Sequence, residues 1–327
     1  MSTLAPKGPT WVTLRQYRRT LWLAGALALL ALAVVAGLRI WAARHPVSPM
    51  KDGVWAASPD NDGYLMLRWF LEYVGFAGIA LSGLVAAVVA GPMVAREYES
   101  GTYQLSLTQS VGPAEWLRSK LTAALVAGVL AALAVMGIFW FGRLGVREGW
   151  DYHWSHAGTY AATGVTVFAY VLAAVAFGAL VGQLVRRTVP AMAVAALVMG
   201  SLIAVFNGYR WSLLPTERET FPLGGRSGLS PDYLHMDSGM LTSSGASFDP
   251  SICWKRANAT PGSDAEPGLW EKVEKQCYAE HDVTTQFIDY HPSSHFWPTQ
   301  LIETGIVLTV AALAAYAAFR VLRARHP

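Results

Sequence analysis

The sequence predicts an all-α integral membrane protein with six transmembrane helices and one small domain outside the bilayer. Three observations carry that expectation. Of 327 residues, 53% are hydrophobic and only 14% charged, and mean hydropathy is +0.32, too apolar for an ordinary soluble domain. Five uninterrupted apolar runs reach the ~20 residues that a ~30 Å hydrocarbon core requires. Basic residues gather in the short polar segments between alternate runs, the pattern that fixes orientation.

In chain order, residues 1–20 form an N-terminal segment with Trp11, Leu14, Arg18 and Leu21 along one face at helical spacing. Two readings fit it: a helix lying on the inner leaflet, with the arginine snorkelling, or a basic flank that sets topology. The first span is 21–40. Its apolar run exceeds the ~7–15 residues of a signal-peptide core and ends at Leu38-Arg39-Ile40-Trp41 without small residues for cleavage, so it is read as a retained helix. A loop follows over 41–73, with the turn residues Pro46, Pro49, Gly53, Pro59, Asn61, Asp62 and Gly63. Spans two and three are 74–95 and 121–141, joined by a compact polar loop over 96–120. Spans four and five are 160–185 and 189–206, joined by the tight turn Arg186-Arg187-Thr188. Residues 207–297 are long enough for a small domain. They contain a Gly/Ser/Pro-rich stretch over 222–249 and then a helix in which Leu269, Trp270, Val273 and Cys277 recur at helical spacing behind Pro267. The sixth span needs residues 298–319, which places Glu303 about one turn inside the membrane boundary.

With the N-terminus inside, the short inner segments 1–20, 96–120, 186–188 and 320–327 hold 12 of the 25 basic residues. Both termini are therefore expected in the cytoplasm and residues 207–297 outside it. Trp11, Trp22 and Trp116 then fall near the inner boundary, and Trp41, Trp69, Trp140, Trp211 and Trp297 near the outer one, where an indole favours the interface. The net charge of +3 hides this asymmetry and gives no reason to expect nucleic-acid binding.

Cys253 and Cys277 are the only cysteines, and both fall in the expected outer domain. An oxidising compartment favours a disulfide closing a loop of roughly 24 residues, worth about 3 kcal/mol by the chain-entropy relation; two buried free thiols are the alternative. Small residues recur every four positions at Gly83, Ala87 and Gly91, and again at Ala174, Gly178 and Gly182. Such faces let helices approach closely, within one chain or between two.

Catalytic chemistry is not legible in the chain. No Gly-x-x-x-x-Gly-Lys-Ser/Thr phosphate loop and no His-Glu-x-x-His occurs, and His291-Pro-Ser-Ser-His295 and His153-Trp-Ser-His156 are weak metal candidates, so no metal and no cofactor is assigned to the chain. Glu303 stands out, because a carboxylate in a span must be paired, hydrogen-bonded or near water. It either lines a path or bonds a neighbouring helix, or it reaches interfacial water.

The loop at 96–120 is the most informative segment. Arg96-Glu97-Tyr98-Glu99-Ser100-Gly101-Thr102, then Leu105, Leu107-Thr108-Gln109-Ser110-Val111, Trp116-Leu117 and Lys120-Leu121, resembles the segment after the second span of ABC-2 type permeases. Arg186-Arg187-Thr188-Val189-Pro190-Ala191-Met192, and residues 290–303 from Tyr290-His291-Pro292 to Glu303, are similar to a bacterial subgroup of that family. Pro113 and Glu115 stand where basic residues would be expected.

The resemblance implies the membrane subunit of a bacterial ATP-binding-cassette exporter, multi-pass in the plasma membrane and not itself an enzyme. It implies a second permease subunit and separate ATPase subunits that hold ATP-Mg. It also implies that the 96–120 loop seats in the ATPase, with Arg96, Glu97, Glu99, Gly101, Thr102 and Leu105 transmitting motion and Arg186 and Arg187 as a second contact. Glu303, Gly178 and Gly182 are candidates for the path or for helix packing. The cargo is expected to be amphipathic or apolar. A membrane scaffold or sensor with a ligand-binding outer domain is the alternative.

Overall fold

A computed structural model describes residues 15, 17–44, 62–103, 112–144, 153–263 and 268–325. Two compact units emerge: residues 1–213 with 299–327, and residues 214–298.

The first unit is helical. It comprises α1 (Arg18–Arg44), α2 (Asp62–Leu84), a π-helical segment (Val85–Ala90), α3 (Gly91–Glu99), α4 (Pro113–Arg143), α5 (Ala157–Thr163), α6 (Thr166–Val185), α7 (Thr188–Tyr209, ending in a 3-10 turn Arg210–Ser212) and most of α10 (Phe296–Arg325). Six of its helical stretches are long and apolar enough to cross a membrane. α2, the π segment and α3 make one of them, Gly63–Glu99. This span starts well before residue 74, so much of the loop expected over 41–73 is helix.

The π segment has a local cause. Pro92 has no N–H and its ring would strike the carbonyl one turn back. The helix widens instead, and Gly91 donates its backbone N–H to the Ala86 carbonyl five residues earlier. Pro92 then sits in the first turn of α3, where it is tolerated.

The fourth span is not one helix from residue 160, as expected, but two. α5 ends at Gly164, whose backbone is extended, and α6 begins at Thr166. A Cβ on Gly164 would lie 2.0 Å from the Gln300 amide, so a side chain there must push that amide out of its place. α6 is the most enclosed span. Gly178 and Gly182 pack it against the π segment and α3: a Cβ at Gly178 would meet Ala90 Cβ at 2.6 Å, and one at Gly182 the Gly91 carbonyl at 2.7 Å. These two glycines therefore serve packing within the chain. Gly83 has nothing within 4 Å of its would-be Cβ. α1 is joined to α4 by Arg39, whose guanidinium bonds the Phe141 carbonyl and lies 4.9 Å from the Phe141 ring centroid.

The second unit holds a four-stranded antiparallel sheet, β1 (Glu217–Pro222), β2 (Tyr233–Thr242), β3 (Ser247–Phe248) and β4 (Val283–Pro292), in the order β1-β4-β2-β3. Helices α8 (Ser251–Ala259) and α9 (Leu269–Glu280) are bridged by a Cys253–Cys277 disulfide. Trp254 donates to Glu274 (2.7 Å) and Trp270 to Asn258 (2.7 Å), and Arg256 pairs with Glu280, which locks the two helices side by side. Pro267 lies outside the described residues. β2 and β4 pair through Gly239 opposite Phe287, where any side chain would strike the ring; Arg218 covers Phe287 at 4.0 Å while bonding Asp289.

Candidate functional site: a buried polar network and the loop end of the bundle

Glu303 is wholly buried on α10 and does not reach interfacial water. Arg210, in the turn after α7, donates to both of its oxygens, Nε to Oε2 at 2.7 Å and Nη2 to Oε1 at 3.0 Å. Tyr160 on α5 donates to Oε2 (2.9 Å) and Tyr170 on α6 to Oε1 (2.8 Å). The Arg210 guanidinium also stacks 4.0 Å from the centre of the Tyr160 ring. Four elements therefore converge on one carboxylate. Removing ionised groups from water costs several kcal/mol each, and a two-pronged pair with two further donors is the arrangement that offsets it.

Gln300 lies one turn before Glu303 on the same face of α10 and is also fully buried. Its Nε2 donates to the Tyr160 carbonyl (2.9 Å), and its Oε1 accepts the Thr166 N–H (3.0 Å). The amide thus supplies one partner to each side of the α5–α6 break, where the backbone ladder cannot. Beside Arg210 lies a cavity of about 30 Å³, lined by Gly78, Ser82, Thr166, Tyr170 and Asn207 among others, with room for a water or two.

The opposite end of the bundle carries the loop residues. Glu97 accepts from Trp116 Nε1 (2.7 Å) and Lys120 Nζ (2.5 Å), tying α3 to the first turns of α4. Tyr98, Tyr103 and Trp116 form an aromatic cluster, with Tyr98–Tyr103 centroids 4.6 Å apart and Tyr103–Trp116 4.7 Å. Burial pushes the Tyr103 phenol above its ordinary range. Trp116, Leu117, Ala318 and Leu322 share one buried apolar cluster with them, which brings the end of α10 to the same place. Glu99 is exposed and accepts from both the N–H (2.9 Å) and the hydroxyl of Thr188.

Arg96, Gly101 and Thr102 are exposed at the loop's start, and Gly101 takes a left-handed φ of +72°. Leu105 lies outside the described residues. Arg186 caps α6 in a left-handed conformation (φ 55°) and lies 5.7 Å from the Tyr98 ring; Arg187 is extended and exposed. So the two sets of residues read from the sequence as contacts meet at one end of the bundle.

Residues 56–210 match the family model described as ABC-2 membrane transporter related. The match bears out the resemblance to ABC-2 type permeases, and with six apolar helices it makes the chain a multi-pass membrane protein. The matched segment contains residues 96–112, Tyr160, Tyr170 and, as its last residue, Arg210; Gln300 and Glu303 lie beyond it. A comparison with curated proteins finds no match.

Sequence reasoning singled out Glu303 but not its partners. Arg210 follows the apolar run and looks like the start of a polar segment. Tyr160, Tyr170 and Gln300 carry no signal stronger than lying near a membrane boundary or inside a span. In the second unit His291 and His295 meet Nδ1 to Nδ1 at 2.9 Å, and His295 Nε2 lies 3.4 Å from Glu217. Among the described residues no group of three such side chains is placed to hold a metal ion.

Proposed function

We propose that this chain is the membrane-spanning permease subunit of a bacterial ABC exporter, working as a pair of permeases above two separate ATPase subunits. ATP-Mg is bound and hydrolysed in those subunits. The cargo is an amphipathic or apolar small molecule. The single observation that carries the reading is the ABC-2 match over a segment that includes a loop anchored to several spans at once. Arg96, Gly101 and Thr102 are the surface offered to the ATPase, with Arg186 and Arg187 beside them. Glu97 and Glu99 act behind that surface, holding α3 to α4 and α7, so that force on the loop is shared among three spans. In this orientation the loop faces the cytoplasm and residues 214–298 face outward, where the Cys253–Cys277 bridge is favoured.

Closure of the ATPase dimer by ATP moves the loop, and the bundle alternates between inward- and outward-facing states. Such a shift requires contacts that differ between the states. We place one such contact at the Arg210–Glu303 network, because the attraction of a buried ion pair weakens as the groups part. The test is co-purification in mild detergent with ATP-binding-cassette ATPase subunits expressed together with the chain. A stable complex supports the reading; failure to bind any ATPase overturns it.

A further inference from the structure

Helix α7 is fastened at both ends by carboxylates from other elements. At its first residue, Thr188, Glu99 of α3 accepts the backbone N–H and the hydroxyl. Arg187, the residue in the capping position, makes no side-chain capping bond, so Glu99 supplies the cap from outside the helix. At the far end Arg210 bonds Glu303 of α10. Between them run 22 residues of uninterrupted helix, about 33 Å at ~1.5 Å per residue.

The other spans that meet the loop lack this combination. The α2–α3 span is interrupted by its π segment. α6 is continuous from Thr166 to Val185 and its Tyr170 bonds Glu303, but at the loop end it meets α3 through glycine packing and the Arg186–Tyr98 stacking, with no carboxylate among the described residues fastening its end. α4 is continuous, but none of the groups bonded to Glu303 lies on it. α10 does run from the loop end to the network. At the loop end it packs Ala318 and Leu322 in the apolar cluster and bonds the Gln183 carbonyl of α6 through Arg325 (2.7 Å), and neither of these ties it by a polar bond to α3. α7 buries Ala191, Ala195 and Met199 on one face, two of them small, against the same core.

We infer that α7 is the strut that carries movement of the loop to the buried network, with Glu99–Thr188 as its input joint and separation of Arg210 from Glu303 as its output. The inference rests on the permease reading above. Displacement of α7 along α10 parts the ion pair. Tyr160 and Tyr170 stay to hold the Glu303 carboxylate, and the cavity that Arg210 and Asn207, one turn back on α7, both line changes shape as the guanidinium moves.

The test uses the full chain with its co-purified ATPase and Asn207→Cys as a reporter. The rate of its modification by a small methanethiosulfonate reagent is compared without nucleotide and after trapping with ATP and vanadate. In that background the rate should change by about fivefold or more, the low end of ordinary coupling between sites. Adding Thr188→Pro removes both donors to Glu99. Proline suits the first helical position, and Arg187 already has the extended backbone that a residue before proline prefers, so α7 still forms. The change should then fall within about twofold. A second pair of variants guards against a folding defect: Glu99→Gln, which keeps an acceptor, should retain the response, and Glu99→Ala should lose it. A full response in Thr188→Pro, or no nucleotide response in the reporter alone despite ATPase binding, overturns the strut and leaves the permease reading standing. Absence of ATPase binding in the reporter background overturns both.

Discussion

Arg210 and Glu303, 93 residues apart in the chain, close a two-pronged ion pair at 2.7 and 3.0 Å inside the helical unit. The carboxylate is wholly buried, so neither partner tolerates loss of the other. Arg210→Met and Glu303→Gln should each destabilise the protein by about 3–5 kcal/mol. The double variant Arg210→Met/Glu303→Leu should be milder than the worse single, because no buried charge is left alone. Thermal unfolding in detergent checks the order.

Gln300 and Gly164 should behave as a coupled pair. Gly164→Ala forces the amide away from the break and leaves the Tyr160 carbonyl and Thr166 N–H without it. Each buried polar group so orphaned costs about 1–3 kcal/mol. Once Gln300→Ala has removed the amide, Gly164→Ala should add little. A double-mutant cycle on melting temperature reads the coupling; simple additivity contradicts it.

The two glycine stripes should separate cleanly. Gly178→Leu and Gly182→Leu drive side chains into Ala90 and the Gly91 backbone and should cut the yield of folded protein sharply. Gly83→Leu meets nothing within the chain and should leave the monomer's stability close to wild type. A loss of self-association in Gly83→Leu alone would place Gly83 between two copies, while Gly91 in the same stripe packs within the chain.

How much of this was legible in the sequence follows from what makes each signal. The spans were readable because burial in lipid demands long apolar runs, and the turn at Arg186 because charge interrupts one. The start of α2 was not, since Asp62, Tyr64, Arg68 and Glu72 read as loop although helix continues through them. The break at Gly164 was hidden because a lone glycine in an apolar run is ordinary; what decides it is Gln300, 136 residues away. Pro92 was the visible mark of the π segment, but nothing local fixes which carbonyl Gly91 finds. The sheet was obscured by glycine in β2 and by charges in β1, and β4 carries its buried side chains at Val283, Phe287 and His291, four apart, a spacing that mimics a helix.

Acid should loosen residues 214–298. Hydrogen bonds from Arg218 hold the Asp289 carboxyl below the usual carboxylate range, and those from Arg256 and Gln276 do the same for Glu280. A depressed folded-state pKa gives stability that is present above the ordinary carboxylate range and is lost as pH falls through the lowered value. Arg218→Gln should therefore lower stability at pH 7 and flatten the acid limb of the unfolding profile below about pH 4, where variant and wild type converge. An unchanged acid limb would show that the pair makes no pH-dependent contribution.

The central claim is that the loop after the second span couples this chain to an ATPase. Gly101 holds a left-handed backbone that costs other residues about 1–2 kcal/mol, and a side chain there meets no neighbour. Gly101→Leu should thus distort the loop without disturbing the bundle. The most direct measurement is ATP hydrolysis by the co-purified complex, wild type against Gly101→Leu, at matched expression. Hydrolysis that is high with the wild-type chain and falls to the level of the ATPase alone with the variant is the result the account predicts. Equal hydrolysis with both chains would contradict it.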